Sequence, residues 1–60
     1  MKTSELLKRL KKHGCYLYEQ GGNHEKWYSP VSDHYFFVPR HKNEVATGTA
    51  NAILKQAGIK

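Results

Sequence analysis

The sequence lacks the features that a small chain uses to cross-link itself or to enter a membrane. It has one cysteine, Cys15, and therefore no internal disulfide and no CxxC pair. A small chain without a disulfide fits a reducing compartment, so we expect a cytoplasmic protein. No apolar run follows Lys2 and no segment is long enough to span a bilayer, so we expect neither a signal peptide nor a membrane partner.

Motifs for the common cofactors are missing as well. There is no phosphate-binding loop, dinucleotide fingerprint or carboxylate pair, and no histidine pair has zinc-finger spacing. A spatial zinc site from His24, His34 and His41 is a weak alternative. With 60 residues the chain has no room for a deep cavity. We therefore expect one domain over residues 1–60 that works on its surface, with no metal and no small-molecule cofactor.

Positive charge and aromatic residues are the features that the sequence does have. Ten Lys and Arg stand against five Asp and Glu, which gives a net charge of +5. Such an excess favours a polyanion or an acidic protein as the partner, although a merely soluble basic surface is common. An aromatic content of 12% favours a folded domain, because disordered chains are poor in aromatics.

Hydrophobic spacing and turn residues predict two helices and three strands. The first helix is capped by Thr3 or Ser4 and stops at Gly14. The second runs from Thr47 or Thr49 to Ala57, with Asn43 as an alternative, earlier cap. The strands are predicted at residues 15–20, 24–29 and 34–38.

This order, α-β-β-β-α, predicts an α+β fold. Short turns join the strands into a three-stranded antiparallel sheet, and two helices cover one face of it. In the first strand Cys15 and Leu17 should face one way, and Tyr16 and Tyr18 the other. We assign Trp27 to the core. We also expect Cys15 to be buried on the core face, where its thiol would be chemically unreactive.

Among four histidines, His24 is the best candidate for proton transfer. Imidazole suits general acid–base chemistry because its ordinary pKa lies near neutrality. His24 follows a turn of small residues that a bulky ligand can approach, namely Gly21, Gly22 and Asn23. His13 lies at the end of the first helix, where its positive charge would compensate the helix dipole. His34 begins the third strand beside a turn, and we expect it to be solvated.

Cations lie near His24 along the chain. Lys26 is two residues further on and therefore on the same face of the strand. With an aromatic neighbour, such cations can hold phosphates and stack unpaired bases. The predicted RNA-binding residues are Lys26, Tyr28, Arg40, His41 and Lys42. A scattered basic surface is the alternative, and the basic side chains of the first helix fit that alternative equally well.

Three short motifs lie in order along the chain: Gly21-Gly22-Asn23-His24, Val38-Pro39-Arg40-His41, and Gly48-Thr49 followed by Ile53-Leu54-Lys55-Gln56-Ala57-Gly58. Together they resemble the HicA toxins of bacterial and archaeal toxin–antitoxin systems. The resemblance implies a fold like the double-stranded-RNA-binding domain and a metal-independent endoribonuclease that cleaves messenger RNA. It also implies a HicB antitoxin as partner, and a catalytic role for His24.

The sequence departs from that family at three positions. Gly22 replaces a frequent Ser, Glu25 replaces a frequent second His, and Cys15 replaces an aromatic or aliphatic residue. We expect the RNA 2′-hydroxyl to be the nucleophile, with Lys26 or Arg40 stabilising the extra charge and water or Tyr28 carrying the second proton. The alternative function is a non-catalytic RNA-binding module, and a protein-binding adaptor is a third.

Overall fold

The computed structural model describes residues 1–59 and arranges them as α-β-β-β-α. Its elements are α1 (Thr3–Lys12), β1 (Tyr16–Gln20), β2 (His24–Ser29), β3 (His34–Pro39) and α2 (Thr47–Gln56). The strands form one antiparallel sheet in the order β1-β2-β3. The predicted fold class is therefore confirmed. Within residues 1–59 neither helix is long and apolar enough to cross a membrane.

The core lies between the helices and one face of β2 and β3. Trp27 and Phe36 face each other across these strands and are 3% and 1% exposed. Leu6 and Leu10, one helical turn apart on α1, are fully buried against the same cluster. The assignment of Trp27 to the core is therefore confirmed. Because side chains alternate along a strand, the residues next to Trp27 and Phe36 must point away from the helices.

Both helices end in the same glycine-dependent turn. Gly14 and Gly58 have positive φ angles of 87° and 76°, which a residue with a Cβ adopts only with strain. The next residues, Cys15 and Ile59, donate their N–H groups to carbonyl oxygens five residues earlier, at 3.0 and 2.9 Å. This is the hydrogen bonding of the Schellman motif, and it confirms the predicted stop at Gly14.

Two serines, one at the end of β2 and one in the β2–β3 connection, hydrogen-bond to the end of α2. The buried Ser29 donates its hydroxyl to the carbonyl of Ala57 at 2.6 Å. Ser32 donates to the carbonyl of Gln56 at 2.7 Å. Helix ends leave such carbonyls without intrahelical partners, so these serines join the sheet to α2 by hydrogen bonds.

Helix α2 begins at Thr47, one of the two predicted starts, but the capping of both helices differs from the prediction. The N-cap of α1 is Lys2 and that of α2 is Ala46, and neither provides a side-chain capping bond. Thr3 is the first helical residue, and its hydroxyl makes a hydrogen bond outside the helix. Ser4 lies one residue further inside α1, and the Asn43 cap is not formed.

That hydroxyl fastens the segment before α2 to the start of the chain. Thr3 donates its side-chain O–H to the carbonyl of Lys42 at 2.7 Å and its N–H to the carbonyl of Asn43 at 2.9 Å. Val45 donates its N–H to the carbonyl of Met1 at 2.9 Å. The basic loop after β3 is therefore held in place at its far end.

Strand β1 is more exposed than its alternation predicts. Cys15 is buried just before the strand, but Leu17 is 42% exposed although it lies opposite Trp27. The whole of β1 is exposed, because it is an edge strand beyond the cover of the helices. The pairing shifts register between Leu17 and Glu19, an irregularity of the kind that protects sheet edges from further pairing.

Candidate functional site

The face of the sheet that points away from the helices carries the candidate site. Its side chains from β2 and β3 form three registered pairs: His24 with Pro39, Lys26 with Phe37, and Tyr28 with Tyr35. Tyr16 of β1 lies opposite Tyr28 and continues the third pair. We call these seven residues, together with Tyr18, the outer face. It has an imidazole at one end and tyrosines at the other.

His24 is the first residue of β2 and is exposed to solvent. The turn before it is tight: Gly21 donates its N–H to the carbonyl of His24 at 2.9 Å, and a Cβ on Gly21 would meet that same oxygen at 2.9 Å. A side chain at Gly21 would therefore distort the turn. A Cβ on Gly22 would meet no atom within 4 Å, so the serine frequent in the family has room here.

The imidazole of His24 lies between two shallow depressions. One, of about 270 Å³, is lined by Asn23, His24, Pro39, Arg40, His41 and Lys42. The other, of about 230 Å³, is lined by Glu19, Gly21, His24, Lys26 and Phe37. The structure thus brings four of the five predicted RNA-binding residues to the two sides of His24.

Arg40 holds the turn that presents His24. Its guanidinium Nη1 donates to the carbonyl of Gly21 at 2.9 Å, and its backbone N–H donates to the carbonyl of Asn23 at 3.0 Å. These two bonds connect the end of β3 to both sides of the turn. One nitrogen of the guanidinium is therefore committed to positioning, which leaves the remaining N–H groups for a ligand.

Tyr28 is the predicted site residue that the structure does not bring to His24. It lies four residues along β2, about 13 Å away at an extended rise. Its hydroxyl donates a hydrogen bond to the carboxylate of Asp33. That bond, with desolvation and the Asp33 charge, raises the pKa of Tyr28 from 10.0 to about 12. Tyr28 therefore holds its proton tightly, far from the imidazole.

The position that often carries a second histidine in the family is occupied by Glu25, and it faces the helix side of the sheet. Glu25 accepts a hydrogen bond from the indole N–H of Trp27 at 3.2 Å. Alternation along β2 places both residues on the side opposite His24. The residue that follows His24 thus contributes to the packing of Trp27.

The other histidines are spread over the molecule. Nδ1 of His13 lies 3.0 Å from the carbonyl oxygen of Arg9 at the end of α1. Nδ1 of His34 lies 3.0 Å from the carbonyl oxygen of Asp33, at the end of β3 remote from His24. His41 shares a depression with His24. Within residues 1–59 no three His, Cys, Asp or Glu side chains converge to hold a metal ion.

The outer face carries a tyrosine cluster, which consists of Tyr16, Tyr18, Tyr28 and Tyr35. Sequence reasoning placed tyrosines on this face but did not predict that the four rings pack together. Neighbouring ring centroids lie 4.8 to 5.5 Å apart at tilted or edge-on angles. The Nζ of Lys26 lies 4.8 Å from the ring centroid of Tyr35 and 5.7 Å from that of Tyr18. Aromatic residues at alternate positions in β1 and β3, with Tyr28 between them in β2, were the signal that could have found this cluster.

A family model for toxins of bacterial toxin–antitoxin systems matches residues 3–59, nearly the whole chain. The chain belongs to the HicA toxin family. Neither the comparison with curated proteins nor that with solved structures gives a significant match. Family membership assigns the toxin role to this chain and implies an antitoxin as its partner.

Proposed function

We propose that this toxin is a metal-independent endoribonuclease that cleaves messenger RNA, with His24 as a general acid or base. The observation that carries the proposal is the exposed imidazole of His24 between two depressions. One contains Arg40, His41 and Lys42, and the other contains Lys26 together with the carboxylate of Glu19. An imidazole that is open to a ligand and flanked by positive charge suits proton transfer on a phosphodiester. The domain works without a cofactor, because RNA supplies the nucleophile.

The reaction is a transfer of the phosphoryl group within the RNA. The 2′-hydroxyl oxygen attacks the adjacent phosphorus, the P–O5′ bond breaks, and the products are a 2′,3′-cyclic phosphate and a 5′-hydroxyl. One proton leaves the 2′-oxygen and one is delivered to the 5′-oxygen. His24 performs one of these transfers, and water performs the other, because Tyr28 is remote and donates to Asp33.

Lys26 is the better candidate for stabilising charge in the transition state. It lies on the same face of β2 as His24 and lines the same depression. Arg40 contributes mainly by holding the turn, since its guanidinium donates to Gly21. His41 and Lys42, in the other depression, are placed to bind flanking phosphates. The two depressions would thus hold the chain on either side of the scissile bond.

The partners follow from the same charges. The net charge of +5 supports binding to messenger RNA and to an antitoxin of the HicB type that presents acidic groups over His24. Such an antitoxin would inhibit by occupying the cations that the RNA needs. We place both interactions in the cytoplasm, where messenger RNA is found.

Expression in a bacterial host tests the enzymatic function. The parent and the His24→Ala variant are induced side by side, and growth and transcript integrity are followed. We expect arrested growth and fragmented messages with the parent alone. A non-catalytic RNA-binding module, which the exposed tyrosine cluster would also serve, gives a shifted band but no new RNA ends. If both forms fragment messages equally, His24 is not the catalytic group.

A further inference from the structure

The tyrosine cluster is an apolar surface that the fold leaves uncovered. Tyr16, Tyr18 and Tyr35 are each about half exposed, at 52%, 54% and 48%. Phe37, between this cluster and His24, is 61% exposed. Both helices pack on the other face of the sheet, so these rings add little to the core. Contiguous exposed aromatics on a monomer commonly mark a binding surface.

One cation lies within this surface. Lys26 has its Nζ over the rings of Tyr18 and Tyr35, and within residues 1–59 no carboxylate pairs with it. It also lines the depression that His24 and Phe37 share. Lys26 therefore connects the tyrosine cluster to the catalytic end of the sheet. Along the outer face a ligand meets aromatic rings, then a positive charge, then the imidazole.

We propose that the tyrosine cluster binds unpaired bases of single-stranded RNA while the phosphate beside them lies between Lys26 and His24. This inference rests on the proposed function, and it defines the substrate as a single strand. Bases stack on aromatic side chains whatever their sequence, and a sheet surface of this kind can hold two or three bases. In a duplex the base faces are covered by their neighbours, so the cluster would have nothing to stack on.

The charges favour RNA over a second copy of the chain. In a two-fold pairing of outer faces centred near Lys26, this lysine would approach Lys26 of the other copy and the two charges would repel. The lysine instead suits a ligand that is anionic and aromatic along its whole length. Single-stranded RNA has both properties in every nucleotide.

Binding measurements on a background that does not cleave test this inference. The His24→Ala protein is titrated into a labelled single-stranded RNA and into a duplex of the same sequence. Tyr35→Ala should weaken single-strand binding on the order of tenfold, whereas Tyr35→Phe, which keeps the ring, should not. Phe37→Ala serves if Tyr35→Ala fails to fold. The matched control is Leu17→Ala, an exposed apolar residue on the other face of the sheet.

A second readout locates the bases directly. RNA that carries 5-bromouridine should cross-link under light to Tyr18 or Tyr35. Single-strand binding unchanged in the folded Tyr35→Ala and Phe37→Ala variants would overturn the inference. If these variants lose antitoxin binding but keep RNA binding, the inference is also overturned, because the tyrosine cluster would then bind a protein. If the parent fails to cleave but the ring-dependent binding is found, the proposed cleavage fails, whereas the binding of single-stranded RNA by the tyrosine cluster stands.

Discussion

Two adjacent phenylalanines show how this small sheet divides its work. Phe36 is 1% exposed and packs opposite Trp27 under the helices. Phe37, the next residue of β3, is 61% exposed and borders the depression beside His24. The two have the same side chain and nearly the same place in the sequence. The pleat of the strand alone sends one to the core and the other to the candidate site.

The comparison extends to the whole sheet. The buried residues of the inner face are apolar apart from the hydroxyl of Ser29, so changes there should alter stability. The outer face is aromatic and cationic and points away from the helices, so changes there should alter binding and chemistry. A chain of 60 residues has too little material to separate these tasks into layers. It separates them by the alternation of side chains along each strand.

The largest effect on stability is expected from Phe36→Ala, which tests the inner face. Removing a buried phenylalanine costs about 3–5 kcal/mol. A chain of this length is stabilised by about 3–9 kcal/mol in total, so much of the variant should be unfolded. Urea denaturation followed by circular dichroism measures the loss. The matched control, Phe37→Ala, should remain folded. Equal destabilisation by both variants would contradict the division between an inner face that provides stability and an outer face that does not.

Much of this division could be predicted from the sequence. The strand periodicity gave the core position of Trp27 and put Lys26 on the face of His24, and Gly14 gave the end of α1. These features depend on neighbours within a few residues. The exposure of Leu17 could not be predicted, because it depends on which strands the two helices cover in the folded chain.

The remaining surprises depend on partners that are distant along the chain. Thr3 has the sequence context of a helix cap, but its hydroxyl binds the carbonyl of Lys42, 39 residues later. Arg40 was predicted as an RNA contact, and its guanidinium also holds Gly21 across the sheet. No local pattern reveals such pairs, because they exist only after the chain has folded.

The next largest effect is expected from Lys26→Gln, which tests the outer face. Loss of a cation that stabilises transition-state charge should slow cleavage on the order of 10²-fold. The thermal melting temperature should change little, because the lysine is on the face without helices. Cleavage of a labelled RNA gives the rate, and Lys55→Gln, an exposed cation on α2, is the control. If Lys26→Gln cleaves RNA at the parent's rate, Lys26 does not stabilise the transition state.

Ser29→Ala tests the inner face at its buried polar residue. The variant removes the hydroxyl that donates to Ala57 and leaves that carbonyl without its partner. We expect a loss of about 1–3 kcal/mol in the free energy of unfolding. Ser32→Ala, which removes an exposed bond to the same helix end, should cost less. Cleavage by folded Ser29→Ala protein should match that of the parent.

The smallest effect concerns the remote end of the outer face. The pKa of Tyr28 is raised to about 12, chiefly by its hydrogen bond to Asp33. The folded state thus favours the neutral phenol, and this contribution to stability is complete below pH 10 and is lost as pH rises through about 12. In an alkaline titration of tyrosinate absorbance, Asp33→Asn should lower the pKa of Tyr28. Tyr28→Phe identifies the late transition, and a titration unchanged by Asp33→Asn would contradict the assignment.

The cleavage rate of purified protein with and without His24 tests the account most directly. Parent and His24→Ala protein are given the same single-stranded RNA in excess chelator, with an RNA that carries 2′-deoxyribose at the scissile position as a further substrate. We predict that the parent cleaves the first RNA and leaves the second intact. The variant should be about 10²–10⁴-fold slower, with RNA binding and melting temperature retained. A folded His24→Ala protein that cleaves as fast as the parent would contradict the account.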